Sequence, residues 1–317
     1  MAQPLFFCAG SFQTAVFRVE WVCIMDFYAL RVLPRGMEKE GLVMSQYDIK
    51  VLALDLDGTL TNSQKVITPR TRAALEAAME KGVTLVLASG RPVVGIRPLA
   101  EELGLPQRGG CILAYNGGCL VDCVTGETVY QKQLPAAMVP ELCAFAAEQD
   151  IAILSYDEDG IVTNKPDDEW VAKEQFILKT PVKGFADLAG YIDYPVNKML
   201  ICVDPARMEA VEAAAAAQFA GRIDTYRSCA FFIEAVPLGV AKDAGLAALL
   251  AAKGLCSKNL MACGDGMNDL PMIRYAGVGV AMANADNAVK LGADYVTQAD
   301  NDHDGVAEAI EKFILNV

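Results

Sequence analysis

Short apolar runs recur along the chain, each closed by a polar or glycine-rich turn and followed by a stretch of helical periodicity. Val51-Leu52-Ala53-Leu54 is the first clear one, and it runs straight into aspartates. A run apolar on both faces predicts a buried parallel strand, here with an acidic carboxyl end. Thr68-Pro69 predicts a helix start, with threonine as cap and proline at the first helical position, running to about Lys81 and stopping at Gly82. Thr84 to Ala88 is the next strand, ending at Ser89-Gly90-Arg91-Pro92; a helix follows to Gly104. Cys111 to Tyr115 is the third strand, ending at Asn116-Gly117-Gly118. Strands alternating with helices predict an α/β fold, a Rossmann-like doubly wound parallel sheet with helices on both faces. Ligands of such sheets sit at the carboxyl ends of the strands. Asp55, Asp57, Ser89, Arg91 and Asn116 all fall at that edge.

The rhythm then changes. Leu120 to Gln133 reads as a hairpin around Thr125-Gly126. From Pro135 to about Glu234 the pattern predicts helix, strand, helix, strand, helix, strand, strand, an α+β unit of different character. Its clearest pieces are a helix over 136–149, a strand over 198–203, an alanine-rich helix over 205–219 and strands over 223–228 and 231–236. The parallel rhythm resumes after Pro237-Leu238-Gly239, with a helix from Ala241 to Lys253. The strand Leu260-Met261-Ala262-Cys263 then ends at Gly264-Asp265-Gly266-Met267-Asn268-Asp269. Short strands at 278–281 and 295–296 and a helix over 305–315 complete the chain. The expected organisation is an extension over 1–43, a core in two parts over 44–133 and 237–317, and an inserted domain over 134–236. Residues 1–43 contain apolar pieces interrupted by Arg18, Glu20, Asp26 and Arg31, which suits neither a signal peptide nor a membrane helix. Met44 opens what reads as a natural start, so the extension is expected to be disordered or not native. The rival reading is an amphipathic membrane-surface segment.

The net charge of −13 argues against nucleic acid or an anionic membrane as a partner, since both call for a basic face. It leaves room for a small phosphorylated substrate, because a bound cation and a few donors can reverse the local field. With one histidine and no Cys-x-x-Cys pair among ten cysteines, a zinc site is poorly supported. The cysteines read as small buried hydrophobes in a reducing cytoplasm.

Asp55 and Asp57 stand two apart at a strand end, with Gly58 next. That spacing suits a carboxylate nucleophile beside a carboxyl that handles a proton. It equally fits a plain Asp-Gly turn. Asp265 and Asp269 form a second acidic cluster, suited to a hard cation such as magnesium or, alternatively, to a glycine-rich loop with Asp269 as a helix cap. Ser89 and Lys242 would offset the repulsion between an attacking carboxylate and a phosphate dianion. Lys242 opens a helix, where its charge opposes the dipole. Arg91 and Asn116 are candidates for substrate contact, and Arg91 alternatively ties its loop to the acidic rim. Lys198 and Arg227 read as surface strand residues, with contact to a second anionic group as the alternative. Asp157, Glu158 and Asp159 read as a solvated turn.

Taken in order, Asp55-Leu56-Asp57-Gly58-Thr59-Leu60, Ala88-Ser89-Gly90-Arg91-Pro92, Lys242 and Gly264-Asp265-Gly266-Met267-Asn268-Asp269 resemble the haloacid dehalogenase superfamily of phosphohydrolases. The stretch from about Tyr47 onward resembles its Cof-type branch, also through Tyr115-Asn116-Gly117-Gly118, Leu238-Gly239-Val240-Ala241-Lys242 and Asp304-Gly305-Val306-Ala307. Gly118 and Asp243 depart from the family pattern, where alanine and glycine are common. The resemblance implies a magnesium-dependent phosphatase. Asp55 would form an aspartyl-phosphate, and Asp57 would protonate the leaving oxygen and then activate water. Asp55, the Asp57 carbonyl, Asp265 and Asp269 would hold magnesium. Ser89 and Lys242 would bind the phosphoryl group, with Leu56, Gly58, Gly90, Arg91, Asn116 and Asn268 around it. The inserted domain would be a type-2 cap that reads the leaving group of a sugar phosphate or phosphorylated cofactor precursor. A phosphomutase and a non-catalytic phosphometabolite sensor are the alternatives. A monomer or homodimer is expected.

Overall fold

The computed structural model of the protein describes residues 47–317, and the expectations for residues 1–43 lie outside them. Because Val51 to Leu54 is apolar on both faces, it belongs in the middle of a sheet. It forms β1 (Val51–Leu54), buried at every position. β2 (Thr84–Ala88) and β3 (Gly110–Ala114) follow, each parallel to the strand before it. β4 (Cys119–Asp122) and β5 (Thr128–Gln131) then turn back as an antiparallel edge.

The chain next builds a second sheet of six strands: β6 (Ala152–Tyr156), β7 (Ile161–Thr163), β8 (Val182–Gly184), β9 (Met199–Cys202), β10 (Asp224–Cys229) and β11 (Phe232–Val236). Their order is β10-β11-β9-β6-β7-β8, antiparallel except between β7 and β8. It then returns to the first sheet with β12 (Leu260–Gly264), β13 (Val278–Ala281) and β14 (Tyr295–Val296). The first sheet is ordered β14-β13-β12-β1-β2-β3-β4-β5, so β1 and β12 are central neighbours. Both acidic segments therefore leave the same edge of the sheet side by side.

Successive residues of β6 face opposite ways, as a strand requires. Ile153 joins a core with Ile201, Ile233, Leu142, Phe145 and Phe219. Phe145 and Phe219 meet edge to face at 5.6 Å, and burying an aromatic ring of this kind stabilises the fold by about 1.5–3 kcal/mol. Leu154 faces the other way, with Leu200, Phe232, Val171 and Leu178, and Tyr115 at the end of β3 packs against that cluster. Asn197 fastens the two sheets where the chain crosses between them. Its Nδ2 donates to Gly118 O at 3.0 Å and to Lys132 O at 2.9 Å, while its Oδ1 accepts from Gln131 Nε2 at 2.9 Å.

The second sheet contains more than its sequence pattern announces. β7, β8 and the short helix Leu188–Tyr191 were not expected. Each of these strands has three residues, too few for period-two alternation to register. The segment read as a solvated acidic turn is the link between β6 and β7. Asp157 is largely enclosed, accepting from the N–H groups of Asp159 and Gly160 at 2.9 Å each, from Lys183 at 3.0 Å and from Tyr191 at 2.9 Å. Among the described residues no helix is long and apolar enough to cross a membrane.

Candidate active site

Asp55 is the first residue beyond β1, and its N–H still bonds to Cys263 O of β12 at 3.0 Å. The loop then folds back tightly, with Leu56 O accepting the N–H and the hydroxyl of Thr61, both at 2.9 Å. The Leu56 side chain lies in the core, so only its backbone is placed to meet a ligand. Gly58 sits at φ +89°, and a Cβ there would fall 2.4 Å from Asp265 Oδ2. Only glycine allows both this backbone and this approach. Thr59, quoted in the motif without a role, donates from Oγ1 to Asp265 Oδ1 at 2.8 Å and joins the two acidic loops.

Asp269 turns its Oδ2 back onto its own loop, accepting from the N–H groups of Asp265 and Gly266 at 3.0 and 2.9 Å. Its Oδ1 accepts from Lys242 Nζ at 2.6 Å. The same ammonium donates to Asp55 Oδ1 at 2.6 Å and to Ala88 O at 2.8 Å. Lys242 is completely buried at the first position of the helix Lys242–Ala252. Its charge opposes the helix dipole by about 0.3–1 kcal/mol, a cost two buried carboxylates outweigh. Burial alone would lower its pKa, but Asp55 and Asp269 raise it above the ordinary lysine value, so it stays charged. All three ammonium protons are already engaged within the protein. The expected contact of Lys242 with a phosphoryl group therefore requires exchange of one of these bonds.

Carboxylate oxygens of Asp55, Asp265 and Asp269 lie within 4.8 Å of one another. Burial first, and Asp269 and Asp265 after it, push the Asp55 carboxyl up to about 7 against the pull of Lys242. The Asp265 carboxyl is also raised, chiefly by burial. Three hard oxygen donors held this close, with their negative charge only partly offset, suit a small divalent cation.

Asp57 faces a different environment. Arg91 grips it with two bonds, Nε to Oδ2 at 2.9 Å and Nη2 to Oδ1 at 2.7 Å, and Lys65 adds a third at 2.7 Å. Partial burial works to raise its pKa, but Lys65 and Arg91 outweigh it and hold the carboxyl below the usual range. Arg91 thus ties its loop to the acidic rim, as one of the two expectations had it. Ser89 is buried, and its Oγ accepts the Arg91 N–H at 3.2 Å. The N–H groups of Tyr115 and Asn116 bond to Arg91 O and Ser89 O, both at 3.0 Å, and pin this loop. Asn116 accepts from Asn268 Nδ2 at 3.0 Å.

A cavity of about 430 Å³ opens over these groups, within the usual range for a small-molecule site. Asp55, Asp57, Asp265 and Asp269 line it together with Ser89 and Arg91, and Gly90 and Asn268 complete that side. Leu56, Gly58, Asn116 and Lys242 support the site from outside the cavity wall. Lys198, just before β9, and Glu234 of β11 close the other side, and Glu174 reaches in from the helix Glu169–Leu178. Lys198 was expected on the surface. It is buried, donating to Gly90 O at 3.1 Å and pairing with Glu234 at 3.4 Å. Arg227 pairs with Glu212 on the exposed side, as a surface residue does. Glu174, Glu234 and Lys65 carried no local signal, being single charged residues within ordinary helix, strand and loop sequence.

Paired acidic loops and a buried lysine at the carboxyl edge of a doubly wound parallel sheet define a hydrolase of the phosphatase class. The chain belongs to the haloacid dehalogenase-like hydrolases, whose family model matches residues 52–310. A haloacid dehalogenase-like hydrolase from Bacteroides thetaiotaomicron is 45% identical with a TM-score of 0.81, over 84% of this chain and 100% of that one. The 5-amino-6-(5-phospho-D-ribitylamino)uracil phosphatase YcsE of Bacillus subtilis is 30% identical, over 84% of this chain and 97% of its own length. The pyridoxal phosphate phosphatase YbhA of Escherichia coli is 29% identical, over 84% and 99%.

Proposed function

We propose that the protein is a magnesium-dependent phosphomonoester hydrolase of small phosphorylated metabolites, with Asp55 as nucleophile. The observation that carries this reading is the close set of Asp55, Asp265 and Asp269 lining the cavity, with the buried Lys242 behind it bonded to Asp55 and Asp269. Lys242 fixes Asp55 through Oδ1, and among the described residues no donor is bonded to Oδ2, which leaves that oxygen to attack. Its lone pair forms a bond to phosphorus while the ester P–O bond breaks and the leaving oxygen takes the proton of the Asp57 carboxyl. Water, giving a proton to Asp57, then attacks phosphorus and breaks its bond to Asp55, releasing inorganic phosphate and restoring the Asp55 carboxylate and the Asp57 carboxyl.

Asp55, Asp265 and Asp269, with the Asp57 carbonyl, would hold magnesium. When bound, the ion supplies positive charge against the transferring oxygens. Four carboxylates face three cations here, Lys242, Arg91 and Lys65, so an incoming dianion adds to an existing negative excess. Among the described residues nothing accepts the Ser89 hydroxyl proton, which can meet a phosphoryl oxygen. Arg91 is the cation best placed to turn toward the substrate. Once it does, Asp57 keeps only Lys65, and its proton affinity rises in the direction a proton donor needs. Residues 134–236 act as a cap whose sheet closes over the site and excludes water.

Pyridoxal phosphate, named for a relative, and sugar phosphates belong in the first substrate panel. Phosphate release from that panel in magnesium is expected to vanish with EDTA and to return when magnesium is restored in excess. Release that persists in the chelator would remove the metal from this reading.

A further inference from the structure

The wall opposite the aspartates has its own chemistry. Glu174 is buried, and its Oε1 accepts from the Tyr156 hydroxyl at 2.7 Å. Among the described residues no donor is bonded to its Oε2, and Glu174 lines the cavity. Glu234 is more fully engaged, with Oε1 to Lys198 at 3.4 Å and Oε2 to the Tyr226 hydroxyl at 3.1 Å. Lys198 also donates to Gly90 O and lies 5.8 Å from the centre of the Tyr156 ring. Its charge is thus absorbed by groups already in place. This wall carries two carboxylates against one cation and offers an acceptor without a donor.

Such a wall disfavours a second anionic group, which would have to lie against buried carboxylates. It favours a hydroxyl, which can give its proton to Glu174 and leave no buried acceptor unpaired. We propose that Glu174 is a specificity-determining residue that accepts a hydrogen bond from a hydroxyl of the leaving group. The site thereby selects singly phosphorylated, otherwise uncharged polyhydroxy compounds over substrates bearing a second anion. The inference rests on the phosphatase reading and deepens it.

The test measures phosphate release from pentose and hexose monophosphates, from hexose 1,6-bisphosphate and from acetyl phosphate, which has no hydroxyl. Wild type is expected to favour its best sugar monophosphate over the bisphosphate by at least about ten-fold. Glu174→Gln keeps the shape and an acceptor for Tyr156, and Glu174→Ala removes both; melting curves report whether each is folded. In each folded variant the ratio of kcat/KM for the sugar monophosphate to that for acetyl phosphate is expected to fall about 10- to 100-fold, mainly through KM. A ratio unmoved in both variants, or a wild type that cleaves the bisphosphate equally well, overturns the proposal. Cleavage of acetyl phosphate without any sugar monophosphate overturns it too. Release from no compound at all would instead overturn the phosphatase reading itself.

Discussion

Asp55→Asn is expected to lower phosphate release by roughly 10⁴-fold or more while leaving the protein folded. The amide has almost the shape of the carboxylate, and its oxygen can still accept from Lys242. What it lacks is the anionic oxygen that, on the proposed reading, would form the acyl phosphate. Burial raises the Asp55 carboxyl from 3.8 to about 7, so the folded state holds that proton more tightly than the unfolded state. The sign of the linkage follows. The stabilisation is fully present below pH 3.8 and is lost as pH climbs to about 7. Asparagine does not titrate and escapes this loss. In chelator at pH 8 the variant is therefore expected to melt no lower than wild type. Thermal melts beside phosphate-release assays check both halves.

Lys242→Met carries the second large effect, and here stability and activity fall together. The substitution keeps a long side chain but removes the charge between Asp55 and Asp269, each 2.6 Å away. Two buried carboxylates are left facing each other, at a cost of about 3–5 kcal/mol of stability. Turnover is expected to fall about 10³-fold, because the proposed nucleophile loses the group that orients it and offsets its charge. Adding Asp269→Asn to Lys242→Met removes one of the opposed charges. The double variant should recover part of the lost stability and none of the activity. Urea unfolding of the three proteins, with assays in parallel, measures both.

These effects rest on residues that were largely legible in the sequence. Asp55, Ser89 and Asp265 lie where apolar runs end, and a parallel sheet brings such ends to one edge. Lys242 stood out because a lysine opens its helix against the dipole. Which bonds these residues make was less legible. The family resemblance implied that Lys242 is a ligand for phosphate, whereas the folded chain spends its three protons on Asp55, Asp269 and Ala88. The grip of Arg91 and Lys65 on Asp57 depends on how two loops fold over the sheet edge, and residue order does not encode that. Glu174, Lys198 and Glu234 were the least visible. They come from one helix, the residue just before β9 and strand β11, and their convergence depends on where the second sheet sits above the first. The same limit hid β7 and β8, whose partners, not their three-residue sequences, make them strands.

The central claim is a covalent bond between Asp55 and phosphorus. Rapid quenching during turnover of acetyl phosphate or the best panel substrate, followed by borohydride, reduces an aspartyl-phosphate to homoserine. Peptide mass spectrometry then reads its position. The expected result is homoserine at position 55 alone, absent without substrate and absent in Asp55→Asn. Homoserine at 57, 265 or 269 instead, or substrate turnover with none at any position, would contradict the account.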